Sequence, residues 1–207
     1  MAARYAKAST YRDKGIVRTT FQTPQRAWSK EMAFTTAFER ATHSFRFEIV
    51  LPLPTPEAVE NHDRRWIVRR EGDRLEVRTF LPPSASSGGT FPSAIAAATG
   101  VSKGAAHNIP ALLMPEELGG RRVTCCDDNA RRIEDENWAT AACFRVHRTL
   151  QTDRGFTTET LWIEKASFLI RGIEHQSKTD DLCVDSVTAY EPLMDAPLPI
   201  GAPMSDS

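Results

Sequence analysis

The residues whose types and spacing come nearest to catalysis lie in TGVSKGAAHNIPALLMP, Thr99–Pro115. Gly100-Val101-Ser102-Lys103-Gly104 matches the Gly-x-Ser-x-Gly spacing of a hydrolase nucleophile, and His107 follows as a base. In that chemistry the imidazole takes the serine proton while the hydroxyl oxygen attacks a carbonyl carbon. The geometry needs a strand before the serine and a helix straight after it. Here an Ala-rich helical stretch comes before, and a proline-broken stub after. The sequence therefore assigns no catalytic residue, and His107 is expected to anchor a loop just ahead of an Asn108 helix cap. A serine hydrolase using Ser102 and His107 is carried as the lesser alternative.

Two other groups carry potential chemistry. Asp127 and Asp128, with Glu134, Asp135 and Glu136, form an acidic region that lacks the oxygen spacing and turn glycine of a calcium loop. A solvated face is expected there, and no metal. The four cysteines, Cys125, Cys126, Cys143 and Cys183, contain no Cys-x-x-Cys pair, so a structural zinc site is not expected. Adjacent cysteines on a strand point to opposite faces, so Cys125 and Cys126 cannot share a partner. Buried thiols, or at most one disulfide, are the expectation. No cofactor is implied.

Alternation of apolar and polar residues dominates the elements that would position these groups. GIVRTTF (15–21) puts Val17, Thr19 and Phe21 on one face. MAFTTAFER (32–40) does the same for Phe34, Thr36 and Phe38, and HSFRFEIVL (43–51) for Phe45, Phe47, Ile49 and Leu51. RRWIVRREGDRLEVRTF (64–80) reads as a hairpin turning at Glu71-Gly72-Asp73, with Trp66 and Val68 on one face of its first arm and Leu75 and Val77 on one face of its second. Period two bounded by turn residues is the strand signature. One apolar and one charged face is the pattern of antiparallel sheets that meet water on one side. Arg18, Arg46, Arg78 and Arg145 fall on the charged face, which is expected to be solvated; docking of an acidic partner is the sharper alternative.

After PPSASSGG (82–89) the pattern changes. FPSAIAAATG (91–100) predicts a short helix with Pro92 in its first turn and Gly100 at its end, and AHNIPALLMP predicts a second one stopped by Pro115. Strand patterns return at 120–128, 131–150, 157–176 and 183–192. KTDD (178–181) reads as a loop, and TLWIEKASFLIRGI (160–173) as a tight hairpin turning near Lys165-Ala166. The N-terminal MAARYAKAS resembles the last turns of a helix, and the tail 193–207 is rich in proline. About ten antiparallel strands result. A sheet that wide must curl, split or close, and a curled apolar face needs cover. The Ala-rich helices are the available cover, with Ile95, Leu112, Leu113 and Met114 expected to press on the sheet.

The chain has 207 residues and a net charge of −1. That length allows one large domain with a core of its own. The balanced charge provides no field to gather nucleic acid. No uncharged run is long enough to cross a bilayer, and no signal peptide is visible in this chain.

Three stretches in order, TYRDKGIV (10–17), TGVSKGAAHNIPALLMP (99–115) and TLWIEKASFLIRGI (160–173), with FTTAFERATHSFRFEI (34–49) between the first two, resemble the bacterial outer-membrane lipoprotein carrier-like (LolA/LolB-like) superfamily, in an uncharacterised exported branch of it. The resemblance runs from about Tyr11 to Tyr190. It implies a mainly antiparallel β (α+β) fold: an unclosed half-barrel of ten to eleven strands, with short helices forming a lid over the concave face. The expected half-barrel domain covers 1–192, with the lid inserted at about 91–115. The resemblance also implies a periplasmic or exported protein that binds a lipid or lipoprotein acyl chain between sheet and lid, as carrier or sensor. Phe34, Phe38, Phe45, Phe47, Trp66, Leu75, Val77, Ile95, Leu112, Leu113, Leu161 and Ile163 would line that cavity. The partners implied are a hydrophobic ligand and an envelope protein, without nucleic acid or stable membrane insertion. The alternative is an envelope interaction module whose core is filled by its own side chains.

Overall fold

The period-two segments become strands of one antiparallel sheet, seen here in a computed structural model that describes residues 1–52, 64–79, 89–118, 129–153 and 155–196. A short helix α1 (Ala2–Lys7) precedes five strands: β1 (Thr10–Gln22), β2 (Ala27–Glu39), β3 (Ser44–Val50), β4 (Arg65–Glu71) and β5 (Arg74–Arg78). Helices α2 (Phe91–Ser102), α3 (Ala105–Leu113) and α4 (Pro115–Leu118) follow. Then come β6 (Arg131–Trp138), β7 (Ala141–Thr152), β8 (Gly155–Glu164), β9 (Ile170–Thr179), β10 (Cys183–Tyr190) and β11 (Leu193–Met194).

The strand order is β5-β4-β3-β2-β1-β10-β9-β8-β7-β6, with β11 also paired to β1. The chain thus walks from the middle of the sheet to one edge, crosses over, and walks back from the other edge. The helices lie on that crossover, which is why they interrupt the strand pattern. The sheet is antiparallel and is not closed into a barrel.

Register turns the sequence pattern into one apolar surface. Tyr11 pairs with Phe38 and Phe38 with Phe45. Asp13 pairs with Thr36 and Thr36 with Phe47. Gly15 pairs with Phe34 and Phe34 with Ile49. On β4, Val68 and Trp66 extend the second and third of these rows. Because side chains alternate across a strand, all of these project to one side, and α2–α4 cover it. Phe91 of α2 meets Phe45 edge-on at 5.2 Å. Fully buried Ile95, Ile109 and Leu113 join the same cluster as Phe47 and Val68.

Several boundaries differ from the sequence expectation. β1 starts at Thr10, not at residue 15, and β2 starts at Ala27. The stretch 131–150 breaks into β6 and β7, with Ala139 between them at φ 53°. α2 runs past Gly100 to Ser102, and Lys103 takes the left-handed cap at φ 53°, ψ 40°. α3 starts after Gly104, not at Asn108, so Pro110 lies inside it and removes one helical N–H. The expected strand at 120–128 lies outside the described residues, as does most of the tail, although Leu193–Met194 pairs with Tyr11–Arg12. Among the described residues no helix is long and apolar enough to cross a membrane.

Candidate ligand-binding site

The inner face of β1–β4 begins with aromatic rings that need room. Gly15 supplies it: a Cβ there would lie 2.1 Å from the Phe34 ring and 2.6 Å from the Ala189 carbonyl oxygen. Phe34 then packs edge-on against Tyr190 at 5.5 Å and stacks with Phe47 at 6.0 Å. Phe38, Phe45 and Trp66 complete the surface. The covering helices meet it with alanines as much as with large residues: Ala94, Ala98, Ala105, Ala106 and Ala111 are all buried. Small side chains let a helix backbone approach a sheet closely.

Ten of the twelve expected lining residues fall in this one buried cluster: Phe34, Phe38, Phe45, Phe47, Trp66, Ile95, Leu112, Leu113, Leu161 and Ile163. Leu75 is partly buried against it. Val77 departs from the expectation and is 42 % exposed. It sits on β5, the edge of the sheet, where β4 flanks it on one side only. The lid is seated on the cluster, so side chains fill the face. The two clefts described lie elsewhere. One, of about 550 Å³, is bounded by Arg4, Lys7, Phe168 and Asp195 at the N-terminal helix. The other, of about 440 Å³, lies on the opposite side of the sheet beside Arg12, Lys14, Thr35 and Arg46.

One end of the lid is tied down by arginines. Arg40, following β2, donates to the Leu113 carbonyl at 3.0 Å and the Ala8 carbonyl at 2.8 Å, joining α3 to the N-terminal segment. Arg70 of β4 pairs with Glu117 of α4 and lies 4.2 Å over the Phe91 ring. Arg70 is itself buried, and its head is satisfied by the Glu117 carboxylate and the His43 carbonyl.

Beneath α3 lies a polar centre that the sequence reading missed. Asp13 is buried on the inner face, and the Tyr11 hydroxyl donates to its Oδ2 at 2.8 Å. Tyr5 of α1 accepts from the Ile170 amide at 2.9 Å, tying the first helix to β9. Burial raises the Asp13 carboxyl from its ordinary 3.8 to about 6, against the pull of Tyr11 and Thr36. Burial also raises the hydroxyls of Tyr5, Tyr11 and Tyr190. The signal was present in TYRDKGIV: once the strand is taken back to Thr10, alternation places Asp13 on the face of Tyr11 and Val17.

The hydrolase geometry does not form. Ser102 ends a helix and is fully buried; its Oγ accepts from the Ala106 amide at 3.0 Å and so links α2 to α3. His107 is a residue of the first turn of α3, with its amide donating to the Gly104 carbonyl at 2.9 Å, and is not a loop residue. Two of the three acidic residues of β6 are held by cations. Arg132 and then Lys165 hold the Asp135 carboxyl down at about 2, and Glu136 pairs with Arg145. Arg18, Arg46 and Arg78 pair with Glu31, Glu48 and Glu76. The outer-face arginines are thereby neutralised in place. Cys143 and Cys183 are free thiols, both raised by burial. Cys125, Cys126, Asp127 and Asp128 lie outside the described residues. Among the described residues no cluster of three or more metal-ligating side chains occurs.

No protein-family model matches the chain, and no curated protein matches it. Solved structures do match along nearly its whole length. One is a DUF1329 family protein from Desulfovibrio piger, 11 % identical, with 96 % of this chain and 90 % of that chain covered and a TM-score of 0.28. Another is a putative outer membrane lipoprotein-sorting protein domain from Vibrio parahaemolyticus, 10 % identical, with 91 % and 87 % covered and a TM-score of 0.26.

Proposed function

We propose that this protein binds the acyl chain of a lipid or lipoprotein on the inner face of its sheet, under the lid formed by α2–α4, as a carrier or sensor of the bacterial envelope. The observation that carries the reading is the pairing of an unclosed sheet with a helical cover. One face of β2–β4 is lined by Phe34, Phe38, Phe45, Phe47 and Trp66, and what seats on it is a crossover of short, alanine-rich helices. Such a cover separates from a sheet more readily than a hydrogen-bonded strand does. An acyl chain then takes the place of Ile95, Ile109 and Leu113. Burial contributes about 0.8 kcal/mol per methylene, so a dozen carbons offset the cost of ordering the ligand and lifting the lid. The envelope setting follows from the sequence resemblance, and the arginine ties at Arg40 and Arg70 provide the end about which a lid would turn.

Native mass spectrometry of the purified protein, with solvent extraction of what travels with it, tests this. One acyl-bearing molecule per chain, displaced by added long-chain fatty acid and retained in His107→Ala, is expected. A clean protein mass after phospholipid and lipopeptide have been offered would overturn it. That result would favour the second reading, a module filled by its own side chains that meets an envelope protein. Full burial of Phe47, Ile95, Ile109 and Leu113 by their own neighbours is the observation behind that second reading.

A further inference from the structure

The end of the inner face farthest from the arginine ties has a different character. Phe21 and Trp28 are cross-strand partners at the tip of the β1–β2 hairpin, and their rings stack at 5.0 Å with planes 9° apart. Three cations surround the pair. The Arg26 guanidinium lies 4.4 Å over the Trp28 ring. Lys30 Nζ is 5.8 Å and Lys103 Nζ 5.7 Å from the centre of the same Phe21 ring. Lys30 belongs to β2 and Arg26 to the turn between β1 and β2, whereas Lys103 belongs to the turn between α2 and α3, on the lid.

Elsewhere in the sheet arginines meet carboxylates: Arg18 with Glu31, Arg46 with Glu48, Arg69 with Glu71, Arg148 with Glu159, Arg171 with Glu164. Among the described residues, Arg26, Lys30 and Lys103 form no ion pair with a carboxylate. The two ammonium groups are instead held toward one ring, and the Lys30 pKa is lowered, first by partial burial and then by the Lys103 charge. The backbone at Lys103 adds a second observation. It takes the left-handed conformation at φ 53°, a position where a glycine is the usual residue and a lysine is strained. The following Gly104 is left-handed as well, at φ 99°. Holding a lysine there fixes the direction in which its side chain leaves the turn. The C-terminus of α2 favours a cation near it, but that attraction is no reason for the ammonium to lean toward Lys30.

We propose that Lys30, Lys103 and Arg26 form a binding site for the anionic headgroup of an amphiphile, a phosphate or carboxylate set between sheet and lid, with the Phe21–Trp28 pair packing against the first carbons of its chain. The site rests on the acyl-binding reading and adds the headgroup class. Its geometry places the polar end of the ligand at the open end of the face and the chain under the lid. It also gives ligand binding a direct hold on the lid, because an anion relieves the repulsion between a lid lysine and a sheet lysine.

The test uses soluble short-chain lipids and calorimetric titration of the whole chain. Dihexanoylphosphatidylglycerol, dihexanoylphosphatidylcholine and glycerol phosphate are compared on the wild type and on Lys30→Gln/Lys103→Gln, whose folding is checked by circular dichroism. The expected result is that the anionic lipid binds the wild type about tenfold more tightly than the zwitterionic one, and that the double substitution removes this preference while leaving the zwitterionic lipid unchanged. Equal binding of both lipids, with no effect of the substitutions, would leave the acyl site standing and overturn the headgroup site. Binding of glycerol phosphate that the substitutions abolish, with no added affinity from acyl chains, would support the anion site and overturn the acyl reading. Absence of binding by all three would overturn both.

Discussion

The two arms of the sheet, either side of β1, bury their tryptophans on different faces. On the β2–β5 side the rings lie inside, under the lid, and the outer face is a lattice of ion pairs: Arg46 and Arg65 with Glu48, Arg69 with Glu71, Arg78 with Glu76. On the β6–β9 side the outer face is packed as well. Trp138 lies against Trp162 with ring centres 5.1 Å apart, Arg145 covers Trp162 at 4.4 Å, and Gly172 leaves the space Trp138 fills. From β1 and β10 across to that arm, the inner face turns polar away from the lid. Thr19 and Ser186 share a hydrogen bond at 3.2 Å, and Glu159 pairs with Arg148 at 3.2 Å. The contrast teaches that alternation reports which residues share a face, whereas the neighbours available decide whether that face is dry. Where helices cover one side, the other can remain ionic. Where the cover runs out, aromatic rings on the far side take over part of the burial.

The comparison can be broken most directly by truncating one ring from each arm. Phe47→Ala removes a fully buried ring from beneath the lid and is expected to cost about 3–5 kcal/mol in urea unfolding. Trp162→Ala, on the outer face between Trp138 and the Arg145 guanidinium, is expected to cost less. Equal losses would show that the two faces are equivalent cores.

The polar centre at the join of the arms gives the next effect. Asp13 is raised to about 6 in the folded chain, so the folded state holds its proton over a range in which the unfolded state has released it. The penalty is absent below about pH 4, grows as pH rises, and is complete above about pH 6, on the order of 2–3 kcal/mol. Asp13→Asn should flatten this stretch of the stability–pH curve and unfold at higher urea than the wild type at pH 7. A wild-type curve that rises between pH 4 and 6 through Asp13 would reverse the assignment.

Smaller effects belong to the outer faces. A methyl at Gly172 would lie 2.5 Å from the Trp138 ring, so Gly172→Ala should cost about 1–2 kcal/mol and alter the near-ultraviolet dichroism of the tryptophans. An unchanged spectrum would mean the pair does not depend on that space. Arg18→Ala breaks an ion pair whose side chains are 68 % and 48 % exposed, and should shift stability by less than about 0.5 kcal/mol. A larger loss would show that the outer-face lattice acts as a network.

Much of the covered arm was legible in the chain. Phe34, Phe38, Phe45, Phe47 and Trp66 share a face because side chains alternate along a strand, and that holds before any strand has found its neighbour. The helical interruption was legible too, from Pro92 and the alanine run. What failed were local rules overruled by packing. Asn108 looks like a cap but lies within α3, because the left-handed Lys103-Gly104 turn starts the helix earlier. Ser102 looks like a nucleophile but is closed in by Ala106. Val77 alternates like a core residue but lies on an edge strand.

Periodicity along the chain therefore determined the strands, their apolar faces and the presence of a cover, since each depends on residues a few positions apart. Tertiary structure alone decided the strand order, with β10 beside β1. It also placed Tyr5, Asp13 and Tyr190 in one buried centre, and brought Lys103 over the ring that Lys30 also approaches. Those meetings join residues tens to nearly two hundred positions apart. Their energies come from burial and charge at short range in space, quantities on which no spacing along the chain bears.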